Sequence, residues 1–145
     1  MPGLRTAPAQ NRPEPSFRLE LARVLQIVFN KISAAEVSSI PTLEQLDLLG
    51  DFQVSESTLQ TLDDARFGKM EKDGKILYRY VAKDYRIYFE VIEGKVIVHR
   101  VLHANSLNDF LFRTNISPTA GEDEILSQSK HFWKLIDEGK NASKA

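Results

Sequence analysis

The apolar positions divide the chain into stretches of different period. Four of the six prolines (Pro2, Pro8, Pro13 and Pro15) fall before residue 16, among Ala, Gln, Asn and Arg. Such a segment neither propagates a helix nor completes a strand ladder, so residues 1–16 read as a disordered leader. Residues 17–23 fit an alternating strand and a helix face equally, which extends the leader to residue 22 and starts the domain at 23. From Val24 to Phe29 the run is nearly continuous and β-branched, as in a strand buried on both faces. Ser33-Ala34-Ala35-Glu36 has the form of a capping box and predicts a helix from Ala34. Pro41 suits the first position of a second helix, with Leu43, Leu46 and Leu49 on one face and Gly50 as its stop. Ser55 predicts the cap of a third piece over Glu56–Leu62.

The period then changes from helical to alternating. After a turn at Lys72-Asp73-Gly74, the runs Ile76–Val81, Tyr85–Ile92 and Lys95–Leu102 are dense in Tyr, Val, Ile and Phe and read as strands. Their separators, Ala82-Lys83-Asp84 and Glu93-Gly94, are of hairpin length. The order β-α-α-β-β-β predicts an α+β domain over 23–113, with helices on one face of a four-stranded, mainly antiparallel sheet. The other face is expected to be open. Residues 114–145 form the remaining unit, a loop with Pro118 and Gly121 and then an amphipathic helix from about Asp123 to Asp137 closed by Gly139. Phe132 and Trp133 are expected to dock it onto the domain, a partner groove being the other role open to them, and the tail from Lys140 to fray.

Composition narrows the function classes. The 145 residues are 42% hydrophobic and 27% charged, with no cysteine, which removes zinc ribbons, iron–sulfur clusters, thiol nucleophiles and disulfide scaffolds. No apolar stretch approaches the ~20 residues of a membrane span and no secretory h-region is visible, so the expected location is the cytoplasm, without a membrane partner. Charge is uneven. Residues 14–64 carry three basic and nine acidic side chains, whereas 65–113 carry ten basic and six acidic. An acidic first half and a basic second half suit a molecule whose basic face meets a polyanion, although chance surface charge gives the same pattern.

The basic residues gather between Tyr78 and Arg113. On a strand, alternate residues share a face, so Arg86, Tyr88 and Glu90 project together, opposite Tyr85, Ile87, Phe89 and Val91. The second set is apolar and belongs to the core, which leaves Arg86 on the open face. Whether Arg79 joins it depends on strand register. His99 and His103 lie four positions apart, roughly 13 Å on a strand, too far to chelate one ion, and no metal site is expected. No nucleotide-binding, serine-hydrolase or zincin motif is present. Asp63-Asp64 reads as a solvated pair at a helix end.

Together with that element order, Leu77-Tyr78-Arg79-Tyr80, the run Lys83–Val91 and the run Val96–His103 resemble the RelE/ParE superfamily of toxin–antitoxin toxins. The family's strand signature, Gly or Asp followed by Tyr-Arg, an aliphatic residue, any residue and an aromatic, is matched by Asp84–Phe89. The resemblance covers about residues 24–113 and implies either ribosome-dependent cleavage of mRNA or inhibition of DNA gyrase. It implies no cofactor.

For the nuclease, a ribose 2′-oxygen attacks the adjacent phosphorus, the phosphorane gains negative charge, and the 5′-oxygen leaves with a proton. Guanidinium groups around the phosphate make a metal unnecessary. The resemblance assigns transition-state stabilisation to Arg86 first and Arg79 second. It assigns acid or base chemistry to His103, and the candidate RNA contacts are Lys83, Arg100, Asn105 and Phe112. Where the family's last strand ends in histidine or lysine followed by arginine, this chain has His103 followed by Ala104. Phe110 and Phe112 lie where some members place a base-stacking aromatic, and core packing is the other role open to them.

Three readings stay open. The chain is the mRNA-interferase toxin of a type II toxin–antitoxin system, with a cognate antitoxin, the ribosome and mRNA as partners. Otherwise it is a toxin-fold protein acting on gyrase, or a non-catalytic relative that only binds a protein partner. The pI of 6.3 and the acidic Glu90 on the Arg86 face weigh against a polyanion target. Oligomeric state is not encoded in any of these patterns.

Overall fold

The computed structural model describes residues 24–62, 65–107 and 121–145. The leader, Asp63-Asp64 and Phe110–Phe112 lie outside them. Among the described residues the elements are β1 (Gln26–Phe29), α1 (Lys31–Ser38), α2 (Thr42–Asp51), α3 (Glu56–Gln60), β2 (Phe67–Lys72), β3 (Lys75–Ala82), β4 (Tyr85–Ile92), β5 (Lys95–His103), α4 (Glu122–Ser127) and α5 (Lys130–Lys140).

The strands form one mixed sheet in the order β1-β5-β4-β3-β2, with β1 parallel to β5 and every other pair antiparallel. The sheet therefore has five strands where four are expected. The added one is β2, whose sequence FGKMEK is too polar to announce itself and which forms as an edge strand paired to β3. Asp73 and Gly74 make the turn between them, with φ of 54° and 78°, the left-handed geometry that matches strand twist.

One face carries the main core. Val37, Leu48, Phe52 and Val54 cover Tyr80, Ile87, Phe89, Val96 and Val98, as strand alternation predicts. Phe52 touches both Tyr80 and Phe89, at ring-centroid distances of 5.1 and 5.5 Å. The helices depart from expectation in detail. Asn30, not Ser33, caps α1, which starts at Lys31, with Ser33 as the reciprocal partner at the third position. Glu36 is thereby free of the cap. It accepts from the Val101 N–H at 2.8 Å and pairs with Arg100 at 2.7 Å, covering the edge of β5 beyond the end of β1. In α2, Gly50 is helical rather than a stop, and it is Leu48 and Phe52 that turn inward. Leu43 and Leu46 are 78% and 63% exposed.

The largest departure concerns the other face, expected to be open. Two C-terminal helices cover it, broken at Gln128-Ser129 where Ser129 caps α5. Leu126, Phe132, Trp133 and Ile136 pack on Met70, Leu77, Tyr88 and Leu102, a second core. Trp133 and Phe132 dock as expected. Gly139, expected to close the helix, lies inside α5, where a Cβ would collide with the His99 carbonyl, so the helix approaches β5 closely. The tail does not fray, because the Lys31 N–H donates to the Ser143 carbonyl and the Ala145 N–H to the Phe29 carbonyl, at 2.8 and 3.0 Å.

Candidate functional site

Register decides which basic residues meet. Arg79 on β3 pairs across with Tyr88 on β4, and Val81 with Arg86. Cross-strand partners share a face, so Arg79, Tyr88 and Arg86 all stand on the face beneath α4. Each guanidinium meets a carboxylate from the first turn of that helix. Arg79 donates from Nε to Asp123 Oδ1 at 3.0 Å and from Nη2 to Oδ2 at 2.7 Å. Arg86 donates from Nε to Glu122 Oε2 at 3.1 Å and from Nη2 to Oε1 at 3.3 Å. Both contacts are two-pronged, the fork geometry in which guanidinium also takes up phosphate.

The surroundings hold these groups in place. Arg79 is buried and gives a further bond to the Arg66 carbonyl, and Arg86 one to the Lys83 carbonyl. Gly68, the cross-strand partner of Arg79 on β2, leaves space that a side chain would deny to the guanidinium and to Asp123. Burial works to lower the Arg79 pKa, but the bond to and charge of Asp123 prevail and raise it. Tyr88 is fully buried, and its hydroxyl has no hydrogen-bond partner among the described residues. Burial first, then the charges of Glu122 and Asp123, pushes that hydroxyl well above its usual pKa of 10.0. A cleft of about 380 Å³ borders Arg79, Arg86, Glu122 and Asp123.

The other sequence candidates do not converge here. His103 pairs across with Tyr85, stacks edge-on against its ring at 5.0 Å and accepts from the Asn105 N–H, all on the opposite face. The structure thus does not bring His103 to the arginines. Lys83 is an exposed hairpin residue, 4.0 Å from an equally exposed Asp47. Arg100 is taken by Glu36, Glu138 and the Leu135 carbonyl. Asn105 is exposed, and Phe112 lies outside the described residues. Glu90, expected on the Arg86 face, meets buried His99 at 2.7 Å and Lys140 at 3.5 Å and not Arg86. Sequence reading missed Glu122, Asp123 and Gly68. The acidic run Glu122-Asp123-Glu124 was visible, but nothing local shows that it faces strands about forty residues earlier.

Among the described residues no three side chains gather as a metal site, and no helix is long and apolar enough to cross a membrane. In comparison with known proteins, no family model and no curated protein matches the chain. Among solved structures it is similar to the RelB–RelE antitoxin–toxin complex from Methanococcus jannaschii, with 23% identity over 57% of this chain and 96% of that one and a TM-score of 0.41.

Proposed function

We propose that this chain is the toxin of a type II toxin–antitoxin system, a ribosome-dependent mRNA interferase in which Arg79 and Arg86 grip the scissile phosphate. The observation that carries this reading is the placement of two guanidinium groups on neighbouring strands and one face, each already holding a two-oxygen anion in fork geometry. The signature strand Asp84–Phe89 supplies the family context. Charge accumulating on a phosphorane between the two arginines is stabilised by donors fixed in advance, without a metal. His103, on the far face, has no part at the phosphate in this reading, and neither does Arg100, bound to Glu36.

A second reading, a non-catalytic relative that binds only a protein partner, is favoured by one specific fact: both arginines are already engaged by carboxylates. The two separate in a purified translation system, by mapping cuts in mRNA on programmed ribosomes. The interferase reading expects cuts that fall by about 10²–10³ in rate with Arg86→Ala, the loss of one preorganised donor. Message left intact both by the wild type and by a form with neutral residues at 122 and 123 leaves the binding-only reading.

A further inference from the structure

The two C-terminal helices are held by different forces. Helix α5 is anchored by Phe132, Trp133 and Ile136, by its Ser129 cap, and by Asn30, whose Nδ2 donates to the Gly139 carbonyl at 2.8 Å. The tail beyond it pairs with the end of β1. Helix α4 is only six residues long, has one fully buried apolar residue in Leu126, and begins at Gly121 without a side-chain cap. Its far end is tied down, because Trp133 Nε1 donates to the Ser127 carbonyl at 2.7 Å. Its near end meets the sheet through Glu122 and Asp123. Water screens these pairs only partly, since the four side chains are between 7% and 31% exposed.

From this we infer that Glu122 and Asp123 form an acidic latch, occupying in cis the arginine sites that RNA phosphates would fill. The inference rests on the reading of Arg79 and Arg86 as phosphate-binding groups and adds their regulation. Carboxylate and phosphate oxygens compete for the same N–H donors, so the closed and RNA-bound states exclude each other. The near end of α4 lifts about its Ser127 end while α5 stays in place. Apparent affinity for RNA is then the intrinsic affinity reduced by the fraction of molecules open.

The test uses the full chain and a fluorescent poly(U) RNA oligomer at low salt, with anisotropy for binding and amide hydrogen exchange for α4 and α5. Glu122→Gln/Asp123→Asn is expected to bind the oligomer about tenfold more tightly than wild type, with faster exchange in α4 and unchanged protection in α5. Oligomer added to wild type is expected to speed exchange in α4. A control, Glu124→Gln/Asp137→Asn, removes the same charge from the two C-terminal helices, at side chains other than the arginines' carboxylate partners, and is expected to gain far less. Equal gains in variant and control, or α4 protected when RNA saturates the protein, overturn the latch and leave the phosphate-binding reading standing. No binding by any form overturns that reading, and the latch with it. Should the double variant not fold, Glu122→Gln alone, at the more exposed pair, gives a smaller gain of the same sign, and no gain there is equally fatal to the latch.

Discussion

Gly68 on β2 lies directly across from Arg79 on β3, and the bare Cα at that position leaves the space through which the guanidinium reaches Asp123. A methyl group there falls well inside contact distance of both Arg79 Nη2 and Asp123 Oδ2. Gly68→Ala is therefore expected to lose about 1–3 kcal/mol, the usual range for overpacking. Much of that loss comes from the displaced ion pair, so Asp123→Ala in the same background adds less than it does alone. Urea unfolding of the two single variants and the double variant checks this, and simple additivity contradicts it.

Tyr88, the other cross-strand partner of Arg79, gives a prediction of opposite sign. Its hydroxyl is buried without a hydrogen-bond partner among the described residues, so Tyr88→Phe removes a desolvated polar group and keeps the ring against Phe132. The variant is expected to be more stable by about 1–2 kcal/mol. The alkaline limb should change too. The folded state holds the Tyr88 proton well above pKa 10.0, whereas the unfolded chain releases it near that value. Wild-type folding stability is therefore untouched by this group below the unfolded pKa and falls as pH rises through it toward the folded one. Thermal unfolding between neutral pH and about pH 11 should show a decline that Tyr88→Phe flattens.

The strand alternation was the most legible part of the molecule. Tyr85, Ile87, Phe89 and Val91 carry enough apolar period to fix their face, and the Ala82-Lys83-Asp84 and Glu93-Gly94 separators fix two hairpins. What stayed hidden depends on tertiary partners. Edge strand β2 is polar because one side of it needs no burial partner. The capping box at Ser33 had the right composition but the wrong cap, because the chain leaves β1 one turn earlier, at Asn30. Arg86 could be placed on a face by period alone, but its partner Glu122 could not, since no local rule relates residues 36 positions apart.

Asn30 separates a helix cap from a tertiary tie. Its Oδ1 accepts from the Ser33 N–H at 2.7 Å, while its Nδ2 donates to the carbonyls of Val98, His99 and Gly139. Aspartate caps helices as well as asparagine does. If the cap alone mattered, Asn30→Asp would be silent. It is expected instead to destabilise by about 2–3 kcal/mol, because a buried carboxylate then faces the Val98, His99 and Gly139 carbonyls with no donor to offer them. Chemical denaturation of Asn30→Asp beside Asn30→Ala gives the answer.

Helix α2 offers a contrast within three residues. Leu48 is 3% exposed in the main core and Leu46 is 63% exposed. Leu48→Ala is expected to lose about 2–5 kcal/mol, and Leu46→Ser to stay within about 0.5 kcal/mol of wild type. Equal effects would mean that α2 presents a different face to the sheet.

The most direct measurement is of the arginines themselves. In a nitrogen-15 spectrum of the full chain, the Nε–H resonances of Arg79, Arg86 and Arg100 report their partners individually. Titration with a short RNA oligomer is expected to move Arg79 and Arg86 together, as carboxylate gives way to phosphate, while Arg100 stays with Glu36. RNA that binds and shifts Arg100 or the surface lysines, with Arg79 and Arg86 unmoved, would place the nucleic acid elsewhere and contradict the site.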